Sequence, residues 1–248
     1  MSTQRDIRLW VNQTIKVNGE IMLEPKQSHY LSNVMRCSQG DTINCFNQND
    51  GEYCAQITVI NKNKTIITPL YQIAKTAQES DVWLIFAPLK KDKTDFVIEK
   101  AVELGASKII PVITARTNVN QIKVERFNLQ AIEAAEQCGR LSVPAIASPC
   151  DLQHLLARWN DKRILYFMDE RQKGSNAAAM FKTFAGQPCA MLIGPEGGFS
   201  DEEADTLNHQ PFVKNIQLGP RILRAETAAL SALSVWQATA GDWQIKKE

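Results

Sequence analysis

Apolar and polar positions change rhythm once along this chain. Between Ile7 and Leu70 apolar residues alternate with polar ones in short runs: Ile7, Leu9 and Val11, then Ile43 and Cys45, then Tyr53, Ala55, Ile57 and Val59, and finally Ile66 to Leu70. A period of two over such runs predicts half-buried strands. Asn49-Asp50-Gly51, between the middle runs, predicts a hairpin turn. One helix interrupts them, opening at Pro25, a favoured first-turn residue, and continuing through Leu31, Val34 and Met35. Short strands with a single helix predict a small β-barrel over residues 1–72. Residues 73–81, IAKTAQESD, are polar without a consistent period and predict a linker.

From Val82 the texture differs. Runs that are apolar on both faces (VWLIFAP, KIIPVIT, RILYFMD, CAMLIG, VKNIQLG) alternate with helical stretches near 92–104, 124–139, 151–160, 174–185, 201–209 and 225–241. That alternation predicts an α/β domain over 82–248 with a mostly parallel sheet. The last helix carries the stripe Ala229, Leu233, Trp236 and Ala240.

The densest chemistry lies in residues 191–230, where two strands each end in a glycine turn that opens into a helix. Met191, Leu192 and Ile193 stop at Gly194, and Pro195, Glu196, Gly197 and Gly198 come next, a stretch in which backbone can approach a ligand closely. Ser200 with Glu203 forms a capping box. The second strand breaks at Gly219-Pro220, and Arg221, Arg224, Glu226 and Thr227 then cluster before the last helix. Ligands of open α/β sheets bind at this carboxyl edge. One Gly-Pro turn is ordinary punctuation, but two in succession are harder to explain that way. Neither fits the G-x-G-x-x-G or Walker patterns.

Composition narrows the classes. A 248-residue chain with 44% hydrophobic residues can bury real cores. No run of 18 apolar residues and no apolar leader are present, so neither a membrane span nor secretion is expected. The six dispersed cysteines predict reduced, mostly buried thiols in a cytoplasmic protein, and no metal site is expected from them or from His29, His154 and His209. A net charge of +1 rules out an overall basic surface, so any RNA contact needs local patches. Arg5, Arg8, Lys26, Arg36, Lys62 and Lys64 form either a basic face on the first domain or scattered solvated charge. Lys90, Lys91 and Lys93 meet either phosphate or solvent.

LIGPEGGFS (192–200), LGPRILRAETAAL (218–230), AEQCGR (135–140) and KKDKTDFVIEKAVELGASKIIPVITART (90–117) together resemble the bacterial 16S rRNA uridine N3-methyltransferases, of the SPOUT superfamily. SHYLSNVMRCSQG (28–40) resembles, more loosely, the PUA-like RNA-binding domain that begins those enzymes. FMDERQKG (167–174) is a loose match to the first loop of their cofactor site. The resemblance implies an α/β fold with a SPOUT-type parallel sheet and a carboxyl-terminal trefoil knot, a homodimer, and S-adenosylmethionine as methyl donor. The implied reaction methylates N3 of uridine 1498 of 16S rRNA, on the assembled 30S subunit. Ile193, Gly194, Glu196, Gly197, Gly198, Leu218, Gly219, Arg221, Ile222, Leu223 and Thr227 would then hold the cofactor. Arg224, with Glu226 and Glu196, would act on the uracil, and Lys91 and Arg116 would join the RNA contacts. A ribose or other-base methyltransferase of the same superfamily, or a non-catalytic assembly factor, are the alternatives.

Overall fold

Two units divide the chain: residues 1–78 with 135–143, and residues 79–134 with 144–248. The structure is a computed structural model whose described residues are 7–61, 64–76, 79–119, 122–169, 171 and 174–244. Arg5 and Lys62 therefore lie outside the described residues.

The first unit contains β1 (Arg8–Trp10), β2 (Ile21–Met22), α1 (Pro25–His29), β3 (Thr42–Asn47), β4 (Gly51–Ile60) and β5 (Thr65–Ala74). They form a five-stranded sheet in the order β1-β3-β4-β5-β2, with β1 parallel to β3 and the other pairs antiparallel. The predicted alternation holds for Leu9, Val11, Ile43, Cys45, Ala55, Ile57 and Ile67, all buried in one core, but Val59, beyond a register shift after Ile57, and Leu70 are exposed. The β3–β4 hairpin turns where predicted, and the Asn47 side chain accepts from the amides of Asn49 and Asp50. Strand β5 continues to Ala74, into the stretch read as linker. The helix is α-helical only to His29 and becomes a π-helical turn over Tyr30–Val34. Arg36 comes soon after with φ +55, a left-handed conformation uncommon for a residue with a Cβ.

Arg8 is not part of an open basic face. Its guanidinium pairs with both carboxylate oxygens of Glu52 at 2.9 and 3.1 Å and lies 4.2 Å from the centre of the Phe46 ring. It also donates to the carbonyls of Ala135, Glu136 and Arg140, at and just beyond the carboxyl end of a helix that runs to Cys138. The cation thus adds donors to carbonyls at and beyond the negative end of that helix. An arginine so fully engaged has nothing left to offer a phosphate.

The second unit contains β6 (Val82–Phe86), α2 (Lys91–Glu103), β7 (Lys108–Ile113), most of α3 (Val124–Cys138), β8 (Ala145–Ile146), β9 (Cys150–Asp151), α4 (Leu152–Ala157), β10 (Ile164–Met168), β11 (Ser175–Asn176), α5 (Ala177–Thr183), β12 (Cys189–Ile193), α6 (Asp201–Asn208), β13 (Val213–Gln217) and α7 (Ala225–Thr239). Its sheet runs β11-β13-β10-β12-β6-β7-β8, with β9 also on β7, and every pair is parallel. The runs read as apolar on both faces are the central strands: every residue of β10 and β12 is buried. Strands β8, β9 and β11, two residues each, are too short to leave a periodic trace. No helix among the described residues is long and apolar enough to cross a membrane.

Helix α7 packs on α2, α5 and β12, and Leu233 and Trp236 are buried within the chain itself. Their apolarity is accounted for without a second subunit. The helix's apolar face therefore gives no argument for a dimer. Of the six cysteines Cys45, Cys54 and Cys189 are buried, and none is disulfide-bonded.

Arg8→Ala should lower stability by about 3 kcal/mol, because it strands the buried Glu52 carboxylate and removes a donor from three carbonyls. Urea denaturation should show a lower midpoint with an unchanged slope.

Candidate active site at the carboxyl edge of the sheet

Strands β10, β12 and β13 are adjacent, parallel and nearly in register, pairing Phe167 with Leu192 and Met168 with Ile216. Their carboxyl ends, and the turns beyond them, therefore meet on one edge. A cavity of about 350 Å³ opens between them, lined by Met168, Asp169, Ile193 to Glu196, Gly198, Ile216 to Gly219, Arg221 to Ala225, Ala228 and Lys93.

The turn after β12 is held from several sides. The amide of Gly198 donates to the carbonyl of Pro195 at 2.9 Å, and Arg116 Nη1 donates to the carbonyl of Gly197 at 2.8 Å. Ser200 caps α6 in the predicted box: its hydroxyl accepts from the Glu203 amide, and its own amide donates to the Glu203 carboxylate. The other Glu203 oxygen accepts from the amide of Ala115 at 2.7 Å, which ties this turn to the end of β7. Gly194 must be glycine because a Cβ there would lie 2.6 Å from the ring of Phe199. That ring is buried and packs edge-on against Phe167 of β10.

Charge converges at the cavity rim. Lys93, in the first turn of α2, hydrogen-bonds Glu196 at 2.5 Å and lies 3.6 Å from Glu226 in the first turn of α7. The Glu196 hydrogen bond raises the Lys93 pKa above the ordinary lysine value, against desolvation and, to a lesser extent, the nearby Arg224. Lys93 is therefore a fixed cation at neutral pH. Glu226 differs from Glu196 in one respect: its Oε2 is buried and has no hydrogen-bond partner. Arg224 is the exposed N-cap residue of α7 and lines the cavity.

Residues 76–237 match the RNA methyltransferase domain family, and residues 23–70 match the RNA methyltransferase PUA domain. Ribosomal RNA small subunit methyltransferase E of Rickettsia conorii is 33% identical over 228 residues, covering 92% of this chain and 93% of the relative. The Bacillus subtilis protein of the same name is 33% identical over 233 residues, covering 89% and 88%. The chain belongs to the ribosomal RNA small subunit methyltransferase E family. A crystal structure of the family member from Neisseria gonorrhoeae, bound to S-adenosyl methionine, matches with a TM-score of 0.84 and 26% identity over 96% of this chain and 99% of that one.

In this RNA methyltransferase, nine of the eleven residues assigned from the sequence to the cofactor line one cavity, namely Ile193, Gly194, Glu196, Gly198, Leu218, Gly219, Arg221, Ile222 and Leu223, and Arg224 lines it as well. Gly197 and Thr227 do not. Gly197 instead lines a second, smaller cavity with Lys90, Arg116, Asn118 and Pro195, on the Arg116 side of the same turn. A side chain at Gly197 would meet Arg116 at an ordinary 3.5 Å, so the expectation that it abuts the main cavity is not met. Thr227 is exposed on the first turn of α7. Sequence reasoning misses Met168 and Asp169 as cavity residues, although both belong to the loosely matched segment 167–174. It also misses Lys93, which by sequence looks like one of three solvated lysines. Only the partners on α7 and on the β12 turn distinguish Lys93 from Lys91, which is exposed. Lys26, Arg36, Lys64 and Arg116 are exposed as well.

Gly194→Ala should cost about 1–3 kcal/mol, because the Phe199 ring must move against a packed core. A lowered urea midpoint checks it, and a wild-type midpoint would mean that the ring yields freely.

Proposed function

We propose that this methyltransferase binds S-adenosylmethionine in the 350 Å³ cavity and methylates N3 of uridine 1498 in 16S rRNA, on the 30S subunit. The observation that carries this reading is the juxtaposition of a partly apolar cavity with Arg224, Lys93 and Glu196 in its lining and Glu226 behind them, 3.6 Å from Lys93. The cavity suits the cofactor's chemistry. Met168, Ile193, Ile216, Leu218, Ile222 and Leu223 offer apolar surface to a purine, and the backbone of Gly194 to Gly198 and Leu218 to Leu223 offers amides and carbonyls to its edge. When bound, S-adenosylmethionine supplies an electrophilic methyl group on a sulfonium centre.

Uracil N3 carries an imide proton and is a poor nucleophile until that proton leaves. Arg224, and Arg221 beside it, would stabilise the negative charge that then develops on O2 and O4. Glu196, which lines the cavity, or Glu226, whose Oε2 is unpartnered, would receive the proton, and Lys93 engages both. Lys93 would hold both carboxylates in place.

Affinity for RNA would come mainly from phosphate contacts away from the reacting base. Arg36 is the leading candidate on the first unit: it is exposed, its backbone is left-handed, and it lies just past a π-helical turn, two local costs that an ordinary turn would avoid. Lys26, Lys64, Lys91 and Arg116 are secondary candidates. An rRNA substrate implies work in the cytoplasm.

The strand order supports a knotted carboxyl terminus. β13 lies between β10 and β11, so the chain leaving β10 regains the sheet on the far side of β13. At that re-entry Gly174 presses on the backbone of Ile216, where a Cβ would lie 2.6 Å away. We assign a homodimer on family resemblance.

The decisive experiment is nucleoside analysis of 16S rRNA from treated 30S particles, where N3-methyluridine is expected and a ribose 2′-O-methyl product would refute the assignment. Arg224→Ala should cut single-turnover rate by on the order of a hundredfold or more, with much smaller effects on RNA and cofactor affinity. Arg36→Ala should weaken RNA binding and reduce the slope of log affinity against log salt by about one. Loss of RNA affinity alone in Arg224→Ala would remove that residue from the chemistry.

A further inference from the structure

One charged group in the cavity wall has no part in methylating the uracil. Asp169 stands at the carboxyl end of β10, between the turns that succeed β12 and β13, and its side chain is only 2% exposed. Its Oδ1 accepts from the backbone amide of Arg171 at 3.0 Å and from Arg171 Nε at 2.8 Å. Its Oδ2 has no hydrogen-bond partner among the described residues. A buried carboxylate with one idle oxygen in a ligand cavity is costly unless a donor from the ligand completes it.

We infer that Asp169 reads the ribose hydroxyls of the methyl donor through Oδ2. The inference rests on the S-adenosylmethionine reading of the cavity. That molecule offers three kinds of donor: the purine amine, the ribose hydroxyl pair and the amino-acid ammonium. The purine edge sets ring-nitrogen lone pairs beside its amine, which a carboxylate would repel and which backbone amides and carbonyls match. The ammonium would seek a carboxylate whose charge is unbalanced, but Arg171 already neutralises Asp169 through its other oxygen. A neutral vicinal diol remains. Its two adjacent O–H donors suit one carboxylate oxygen with two free lone pairs.

Arg171 also reaches Asp201 at the start of α6, at 3.4 Å. It thereby holds the carboxylate through Oδ1 and leaves Oδ2 without a partner among the described residues. Asp169 is in this reading a specificity-determining residue for the cofactor and not a group that moves a proton.

The test is calorimetric and needs no turnover. Wild-type protein should bind 5′-methylthioadenosine, which keeps the purine and ribose but has no ammonium, and should bind its 2′,3′-dideoxy analogue about tenfold or more weakly. Asp169→Asn should weaken binding of S-adenosylmethionine and 5′-methylthioadenosine by a similar factor while leaving the dideoxy analogue unchanged. Equal wild-type affinity for 5′-methylthioadenosine and its dideoxy analogue overturns the inference, and that comparison stands even where the variant fails to fold. So does an Asp169→Asn protein that loses affinity for S-adenosylmethionine alone, which would assign the carboxylate to the ammonium. An Asp169→Asn protein that binds all three ligands as wild type does would confine Asp169 to ordering Arg171. A wild-type protein that binds S-adenosylmethionine not at all would instead overturn the reading of the cavity itself.

Discussion

The parallel pairing of β10 with β12 on one side and β13 on the other is the constraint on which the active edge depends. Three strands that are far apart in sequence end level with one another, so three turns are delivered to one place: the turn that begins at Asp169, Gly194 to Gly198, and Leu218 to Leu223. Parallel strands need long crossovers, and here those crossovers are helices α5 and α6. The central strands β10 and β12 are buried on both faces and offer no chemistry. All of the chemistry sits on the turns, held by side chains such as Phe199 against Phe167 and Glu203 against Ala115. The strands are buried, and Gly194 leaves the space that the Phe199 ring occupies.

Electrostatics at that edge are organised by one lysine. Lys93 contacts a carboxylate on the β12 turn and another at the start of α7, so a single cation joins α2 to two elements that the sheet already brings close. Two carboxylates so near each other repel, and the cation between them offsets that repulsion. The unpartnered oxygen of Glu226 and the idle oxygen of Asp169 stand out from the bonded groups around them, and both belong to residues at the cavity or its rim.

The first unit separates two arginines that look alike in the sequence. Arg8 is drawn inward by Glu52, by the Phe46 ring and by carbonyls near the carboxyl end of α3. Arg36 projects from a strained turn into solvent. Both lie in a domain whose charges nearly balance. Only their surroundings assign one to stability and leave the other available to a phosphate.

The change from period two to buried runs that alternate with helices was legible residue by residue, and so were the Ser200 capping box, the Asn49-Asp50-Gly51 turn and the glycine turn after Ile193. These depend on local forces: side-chain periodicity, cap geometry and backbone freedom at short range. Nine of the residues expected at the cofactor from the motifs between Leu192 and Leu230 line the cavity. The features hidden from local pattern involve partners distant in sequence. Lys93 is 103 residues from Glu196, and Arg8 is 127 from Ala135. Asp169 became a cavity residue because β13 was inserted beside β10, and Gly197 turned away from that cavity because Arg116 holds its carbonyl. The two-residue strands left no trace because two residues make no period. Local pattern determined which segments are strands, helices and turns. Strand order alone decided which charges meet, since a contact between remote residues is fixed by topology and not by the sequence around either of them.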